Sequence, residues 1–266
     1  MLPQAVRNSM WWGGWRVWQR NRDAFLRGWK VEIGGIAIEP FIMLVAIGFG
    51  LGSYVQDVDG QSYAEFLAPG LIASYAMFHA TFDSTYGAYL RMETHNIYEA
   101  VLFTPLGPAD IVTGEVMWAA TRAILSAAAV LLTAVAFGLI DSPYVVLALP
   151  SAYLIGFSIG AIAMILTATA TTIGAMNNFF TLFILPMFYV SGVFFPLDRL
   201  PEWVQIATWA LPLTPAAAPV SPDPRGRAGT QLGVRQVRLQ DGMRRCEAVC
   251  ALTLFGVPSV DPLIWS

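Results

Sequence analysis

Runs of apolar residues, each about as long as a bilayer is thick, follow one another along most of this chain. Polar residues separate them into five stretches, at 33–55, 66–90, 118–140, 144–167 and 178–195. A helix needs about 20 mostly apolar residues to cross a membrane, and each stretch meets or approaches that length. The pattern predicts an all-α polytopic membrane protein with five transmembrane helices, the first of them interrupted at Glu39-Pro40.

The segment before the first stretch has a different pattern. Arginines recur on one face there, and aromatic residues recur at helical spacing on another, namely Trp11, Trp15, Trp18, Phe25 and Trp29. This pattern is typical of an amphipathic helix in the headgroup layer. We expect residues 1–32 to form a cytoplasmic interface helix with a mechanical role. The alternative is an uncleaved anchor that only orients the first span, since no cleaved signal peptide is expected.

Composition and charge support membrane insertion and predict its direction. Of all residues, 56% are hydrophobic and 12% are charged, whereas soluble proteins carry about 25% charged residues. Six basic residues precede the first span, but the following loop at 56–65 has acidic residues and no Lys or Arg. Because basic flanks stay on the cytoplasmic side, the N-terminus is predicted to be cytoplasmic.

No residues suited to nucleotide or metal chemistry stand out. The single lysine, Lys30, lies between Trp29 and Val31, whereas a phosphate-binding P-loop needs Gly-Lys-[Ser/Thr] after a glycine-rich turn. If nucleotide drives this protein, another chain has to bind it. Cys246 and Cys250 have no nearby histidine to complete a zinc site, so no cofactor is expected on this chain.

Ionisable residues inside the predicted spans are candidates for function, because a charge in the bilayer is costly unless it faces protein or a water-filled path. They are Glu39, His79, Asp83, Glu115 and Arg122. His79 and Asp83 lie one helical turn apart and could pair directly, as a packing pair or in a substrate path. Glu115 and Arg122 share a helical face but lie two turns apart. A catalytic interpretation of His79 and Asp83 with Ser74 or Ser84 is weaker, because all come from one helix.

Aromatic residues cluster near the outer end of the fifth stretch: Phe188, Tyr189, Phe194, Phe195 and Trp203. Such residues anchor membrane proteins at the interface, and they also stack on sugar rings, so both interpretations remain open. The candidate substrate path therefore comprises three polar and three aromatic residues: Glu39, His79, Asp83, Phe188, Tyr189 and Phe194.

Several segments, in order, resemble the ABC-2 type permeases: FLAPGLI at 66–72, NIYEAVLFTPL at 96–106, GEVMW at 114–118, and LPMFYVSGVFFPL at 185–197 followed by LPEW. The likeness covers residues 20–215. Within that family, ATFDSTY at 80–86 and DIVTGEVMWAATR at 110–122 resemble permeases that export lipid-linked sugars, including nodulation factors. The resemblance implies a permease in a bacterial inner membrane that moves a lipid-linked oligosaccharide or similar amphiphile outward, and no catalytic role for this chain.

The resemblance also implies partners. Two permease copies, expected as a homodimer among membrane lipids, would each dock on a separate ATPase subunit that holds ATP and Mg²⁺; no nucleic acid is expected. A short cytoplasmic helix at 94–103 would transmit the motor's movement and end at Thr104-Pro105, since a residue before proline leaves the helical region. Glu99 is the expected docking contact, with apolar contacts from Tyr98, Leu102 and Phe103. The alternatives are a non-transporting anchor or scaffold subunit and a drug-efflux permease.

The tail departs from the family pattern, in which a sixth span follows. We therefore divide the chain at 1–32, 33–215 and 216–266. From Ala216 the sequence turns proline- and arginine-rich, and its longest apolar run, at 248–258, is about half of a span. A re-entrant tail, a natural regulatory tail and a shifted coding frame all remain open, and the last is favoured because apolarity and family likeness are lost together.

Overall fold

The computed structural model describes residues 10–54, 62–139, 148–170, 172–190 and 193–194, and all regular elements within them are helical. The α-helices of this part are α1 (Met10–Met43), α2 (Tyr63–Phe82), α3 (Ile97–Leu102), α4 (Pro108–Ala136), α5 (Ala148–Thr169), α6 (Ile173–Phe179) and α7 (Leu185–Val190). Wider π-helical turns occur at Leu44–Gly50, Asp83–Gly87, Leu90–Thr94 and Phe180–Ile184, and a 3-10 turn at Leu51–Ser53. The predicted all-α class is confirmed.

Helices coincide with all five predicted apolar stretches. Among the described residues, the segments Trp12–Gly50, Pro108–Ala136 and Ala148–Thr169 are long and apolar enough to cross a membrane, and Ile173–Tyr189 is a shorter apolar helix. The remaining stretch contains α2, which is 20 residues long and hence about 30 Å from end to end. The molecule is therefore a helical, multi-pass membrane protein.

The first helix differs from the prediction in two respects: it is not broken at Pro40, and it is continuous with the amphipathic segment before it. α1 continues through Pro40 to Met43 and widens only at Leu44–Gly50, so the break predicted at Glu39-Pro40 is wrong. Proline removes a single backbone donor, and a membrane helix can tolerate that loss where neighbouring groups satisfy the freed carbonyl. α1 also runs without interruption past residue 33, so the amphipathic segment and the first span are one helix.

Small residues allow α1 and α4 to pack closely, and the two helices run in the same direction. A Cβ atom at Gly114 would lie 2.5 Å from Val17 Cβ and 2.6 Å from the Gly14 carbonyl oxygen, so the two backbones approach too closely for any side chain there. Further along, Phe41 and Phe137 stack with ring centroids 5.8 Å apart. Close helix contacts through small residues are typical of membrane proteins.

α2 lies in the middle of the bundle. Ser62 caps it, because its hydroxyl accepts from the Glu65 N–H at 3.4 Å while Glu65 Oε2 accepts from the Ser62 N–H at 3.2 Å. Most of its side chains are buried in the main core, which also takes residues from α4 and α5. The π-helical turn at Leu90–Thr94, which follows α2, and the first half of α4 lie beside α3.

Some predictions fall on residues outside the described ranges. They concern Phe195, Trp203, most of the loop at 56–65, and the tail at 216–266 with its missing sixth span. The domain division at 1–32, 33–215 and 216–266 stays a prediction.

Candidate functional site

A fully buried carboxylate, Glu115, lies in the first half of α4 at the end of the bundle where α3 sits. Its side chain is 1% exposed. Arg20 of α1 donates from Nη2 to Oε1 at 2.9 Å, and Arg91 donates from Nη2 to Oε2 at 2.8 Å. Each carboxylate oxygen therefore accepts from a different arginine, and the two arginines come from different parts of the chain.

Arg91 joins a second carboxylate to the first. Its Nη2 also donates to the carbonyl oxygen of Asp83 at 3.2 Å and to Asp83 Oδ2 at 3.4 Å. A Cβ atom at Gly87 would lie 3.1 Å from Asp83 Oδ1 and 3.2 Å from Arg91 Nη1. The ion pair of Asp83 and Arg91 thus lies directly over Gly87, and both residues belong to the π-helical turns that follow α2.

Charge is balanced within this set, which we call the ion network: Arg20, Asp83, Arg91 and Glu115. Two guanidinium groups face two carboxylates, and the side-chain exposure falls from 30% at Arg20 to 18% at Arg91, 11% at Asp83 and 1% at Glu115. Asn21 Oδ1 accepts a further bond from Arg20 Nη2 at 2.9 Å. Buried charges are costly when one partner is missing, so the network holds α1, α4 and the end of α2 in a fixed relation.

Tyr98 of α3 is buried beside this network, contrary to expectation. Its side chain is 3% exposed, and both its burial and the nearby Glu115 carboxylate raise the pKa of its hydroxyl, while Arg91 lowers it. The prediction that Tyr98 supplies docking surface is therefore wrong. The short helix α3 turns this residue inward, where the ring packs with Ala88 and Val116.

The opposite face of α3 is open. Asn96 precedes α3 in the left-handed conformation, with φ of 49°, and the helix ends where Thr104 Oγ1 donates to the Val101 carbonyl oxygen at 2.5 Å. Phe103 is 91% exposed and Leu102 is 38% exposed, and Glu99, Thr104 and Pro105 are also exposed. Observed at Ile97–Leu102, α3 lies within the predicted range 94–103.

The remaining intramembrane charges have other partners than expected. Asp83 pairs with Arg91, so the proposed pair with His79 does not form among the described residues, whereas the His79 ring lies 6.4 Å from that of Tyr75. Arg122 donates from Nη1 to Glu32 Oε2 at 2.7 Å rather than approaching Glu115.

The residues of the candidate substrate path lie in separate parts of the structure. Phe188, Tyr189 and Phe194 form an aromatic cluster with Phe78 of α2, in which the ring centroids of Phe188 and Phe78 are 4.8 Å apart and those of Phe188 and Phe194 are 5.0 Å apart. Asp83 belongs to the ion network instead, and Glu39 is exposed on α1. The structure thus brings the three aromatics together but does not join them to all three polar residues.

Sequence reasoning missed the arginines of the ion network. Arg20 is one of the basic residues before the first span, and Arg91 was not among the candidate functional residues. One signal was available, since a carboxylate in an apolar stretch needs a partner. Glu115 and Arg20 are 95 residues apart, however, and no local pattern links them.

Comparison with known proteins extends over most of the chain. Residues 14–220 match the family described as ABC-2 type transporter. Nodulation protein J of Sinorhizobium fredii is 38% identical over 225 residues, which cover 85% of this chain and 86% of the relative. Nodulation protein J of Rhizobium leguminosarum bv. trifolii is 40% identical over 198 residues, covering 74% and 76%. The inner membrane transport permease YadH of Escherichia coli is 23% identical, covering 71% and 73%.

Proposed function

Because this chain belongs to the ABC-2 type transporter family and is a membrane permease of an ABC transporter, we propose that it exports a lipid-linked oligosaccharide or similar amphiphile. ATP would be hydrolysed on a separate subunit. The observation that carries the substrate class is the similarity to Nodulation protein J over 85% of the chain. The likeness of residues 80–86 and 110–122 to exporters of lipid-linked sugars supports the same substrate class.

The exposed face of α3 is the proposed docking surface for the ATPase subunit. Phe103 and Leu102 offer apolar area to a partner, and Glu99 offers a carboxylate that a basic side chain can bind. Aromatic side chains are enriched among the residues that dominate protein interfaces. A ring that is 91% exposed at the end of a short helix is well placed for that role.

Because the ATPase subunit would be cytoplasmic, docking on α3 makes the end of the bundle that carries α3 the cytoplasmic end. α1 and α4 both begin at that end, with the basic residues Arg16, Arg20, Arg22 and Arg27 early in α1. This agrees with the direction expected from the charge rule, in which basic flanks remain in the cytoplasm. We propose a bacterial inner membrane location, with a second permease copy completing the translocation path.

The aromatic cluster of Phe188, Tyr189, Phe194 and Phe78 is the proposed place where the amphiphile contacts this chain. Aromatic rings stack on sugars and pack against acyl chains, and four such rings lie together here. Membrane anchoring by the same residues is the competing interpretation.

Reconstitution tests the proposed function. The permease is purified with a candidate ATPase subunit from the same organism and placed in proteoliposomes, and ATP hydrolysis and export are measured with an acylated chito-oligosaccharide. We expect ATP hydrolysis to rise by about 2- to 10-fold with this substrate, because substrate binding shifts the transport cycle. A hydrophobic drug and an unacylated oligosaccharide serve as matched controls. Stimulation by the drug alone would indicate drug efflux, and binding of the ATPase without any transport would indicate a scaffold subunit.

A further prediction concerns the tail. The match to the family ends at residue 220, close to the change in composition at Ala216, and we propose that the coding frame shifts near this point. One of the other frames of the DNA downstream of the Pro215 codon is then expected to encode about 20 apolar residues followed by basic ones. Restoring that frame should increase export. If neither alternative frame encodes an apolar segment, the shift is excluded.

A further inference from the structure

One stretch of α1 has little protein around it. From residue 23 to residue 33, every residue except Phe25 is exposed, and a Cβ atom added at Gly28 would meet no other part of the chain within 4 Å. On either side α1 is packed again, at Val17 and at Ile36, which are 2% and 3% exposed. This stretch, which we call the open segment, is therefore left largely uncovered by the part of the chain that the structure describes.

The open segment carries two cations that no carboxylate neutralises. Its two acidic residues, Asp23 and Glu32, each pair with an arginine of this chain at 2.7 Å. Arg27 and Lys30 are exposed, and they take part in none of the ion pairs found among the described residues. An excess of two positive charges is thus left at the surface, and it favours an anionic partner.

Apolar side chains share the open segment with these cations. Trp29 is 47% exposed and Val31 is 83% exposed, next to the apolar stretch that begins at Ile33. At a rise of about 1.5 Å per residue, Lys30 lies about 4.5 Å and Arg27 about 9 Å from Ile33 along the helix. The headgroup layer of a bilayer leaflet is about 5–8 Å thick, and tryptophan is enriched there. A partner that offers both an anionic group and apolar chains at this depth is a phospholipid.

We propose that Arg27 and Lys30 bind the phosphate of an anionic phospholipid whose acyl chains lie along Trp29 and Val31. The bound lipid covers the open segment and holds α1 at a fixed depth in the bilayer. Its place in the cytoplasmic leaflet rests on the orientation in the proposed function. Lipid binding itself requires neither transport nor an ATPase subunit.

The test titrates the full-length permease in detergent with phosphatidylglycerol or with phosphatidylcholine, and native mass spectrometry measures the affinity for each lipid. Arg27→Gln/Lys30→Gln removes both charges from the open segment. Arg16→Gln/Arg22→Gln is the matched control, because it removes the same charge from the same helix at about 26 and 17 Å from Ile33, beyond the headgroup layer. A third variant, Arg27→Lys/Lys30→Arg, keeps both charges in place.

We expect the unmodified protein to prefer phosphatidylglycerol, and the affinity for this lipid to fall by about 25-fold in Arg27→Gln/Lys30→Gln. Each basic residue near an anionic membrane surface contributes about 5-fold to binding. The control and the charge-keeping variant should stay within about 2-fold of the unmodified protein. Raising the salt concentration from about 0.05 to about 0.5 M should weaken binding of phosphatidylglycerol but not of phosphatidylcholine, since salt screens exposed charges.

Three results would overturn the proposal. The first is an unmodified protein that shows no preference for phosphatidylglycerol, and the second is an equal loss in both glutamine variants, which would mean that net charge alone governs binding. The third is a dimer in the mass spectra that disappears in Arg27→Gln/Lys30→Gln while lipid binding is unchanged, which would make a second permease copy the occupant. The salt titration needs no variant, so it decides the question even if a glutamine variant unfolds. Because none of these measurements involves export, a failure here leaves the proposed function standing.

Discussion

Glu115→Gln is expected to be the most damaging single substitution in the ion network. The Glu115 side chain is 1% exposed and accepts from both Arg20 and Arg91. Neutralising it leaves two guanidinium groups with Asp83 as the remaining carboxylate of the network. Removing one partner of a buried ion pair costs about 3–5 kcal/mol, since a buried charge is left without compensation. The free energy of unfolding should fall by an amount in that range.

Thermal unfolding in detergent measures this effect. For a chain of this size, we expect the midpoint to fall by about 10 °C. Asp23→Asn is the matched control: Asp23 also pairs with an arginine, Arg22, at 2.7 Å, but the two side chains are 52% and 41% exposed. An exposed pair contributes about 0–1 kcal/mol, so this control should unfold close to the unmodified protein. Equal midpoints for Glu115→Gln and Asp23→Asn would show that the network adds no stability.

Removing the exposed surface of α3 is expected to weaken docking of the ATPase strongly without disturbing the fold. Phe103 is 91% exposed and Glu99 is exposed, so neither contributes much packing within this chain. In Glu99→Ala/Phe103→Ala, the affinity for the ATPase should fall by about 30-fold or more, because truncating an interface hot spot costs at least about 2 kcal/mol. Transport should fall with it.

Association of the purified subunits is measured by surface plasmon resonance or co-elution, with thermal unfolding as the test of fold. Phe183→Ala is the matched control, since Phe183 is 65% exposed but lies in the turn Phe180–Ile184, far along the chain from α3. We expect it to bind the ATPase normally. Should the α3 double variant bind as tightly as Phe183→Ala does, the docking surface must lie elsewhere.

α3 shows which features of a helix the local sequence predicts and which it does not. The stop before Pro105 is a local effect of proline on the preceding residue, and the observed helix ends where that rule indicates. The local sequence does not predict which side chains of α3 point inward. Tyr98 and Glu99 are neighbours in sequence, yet one is 3% exposed and the other lies at the surface. Only the packing of Tyr98 with Ala88, Ile111 and Val116 decides which residue turns inward.

Pro40 illustrates the reverse case, in which a strong local signal is overruled. Proline lacks a backbone donor and is expected to interrupt a helix. Here it lies inside α1, which continues to Met43 before widening. The surrounding contacts hold α1 along α4, from the crossing at Gly114 to the stacked rings of Phe41 and Phe137. Packing along that length outweighs the loss of one hydrogen bond.

The sequence by itself determined the helical class, the positions of the apolar helices and the family, because apolar runs and short motifs are local properties of the chain. It also identified Glu115 and Asp83 as charges that require partners. The tertiary structure alone decided which partners they take. Arg20 is 95 residues from Glu115 and Arg91 is 24 residues from it, and their meeting depends on how α1, α2 and α4 pack. Ion pairs between distant residues follow from helix placement, which no local pattern specifies.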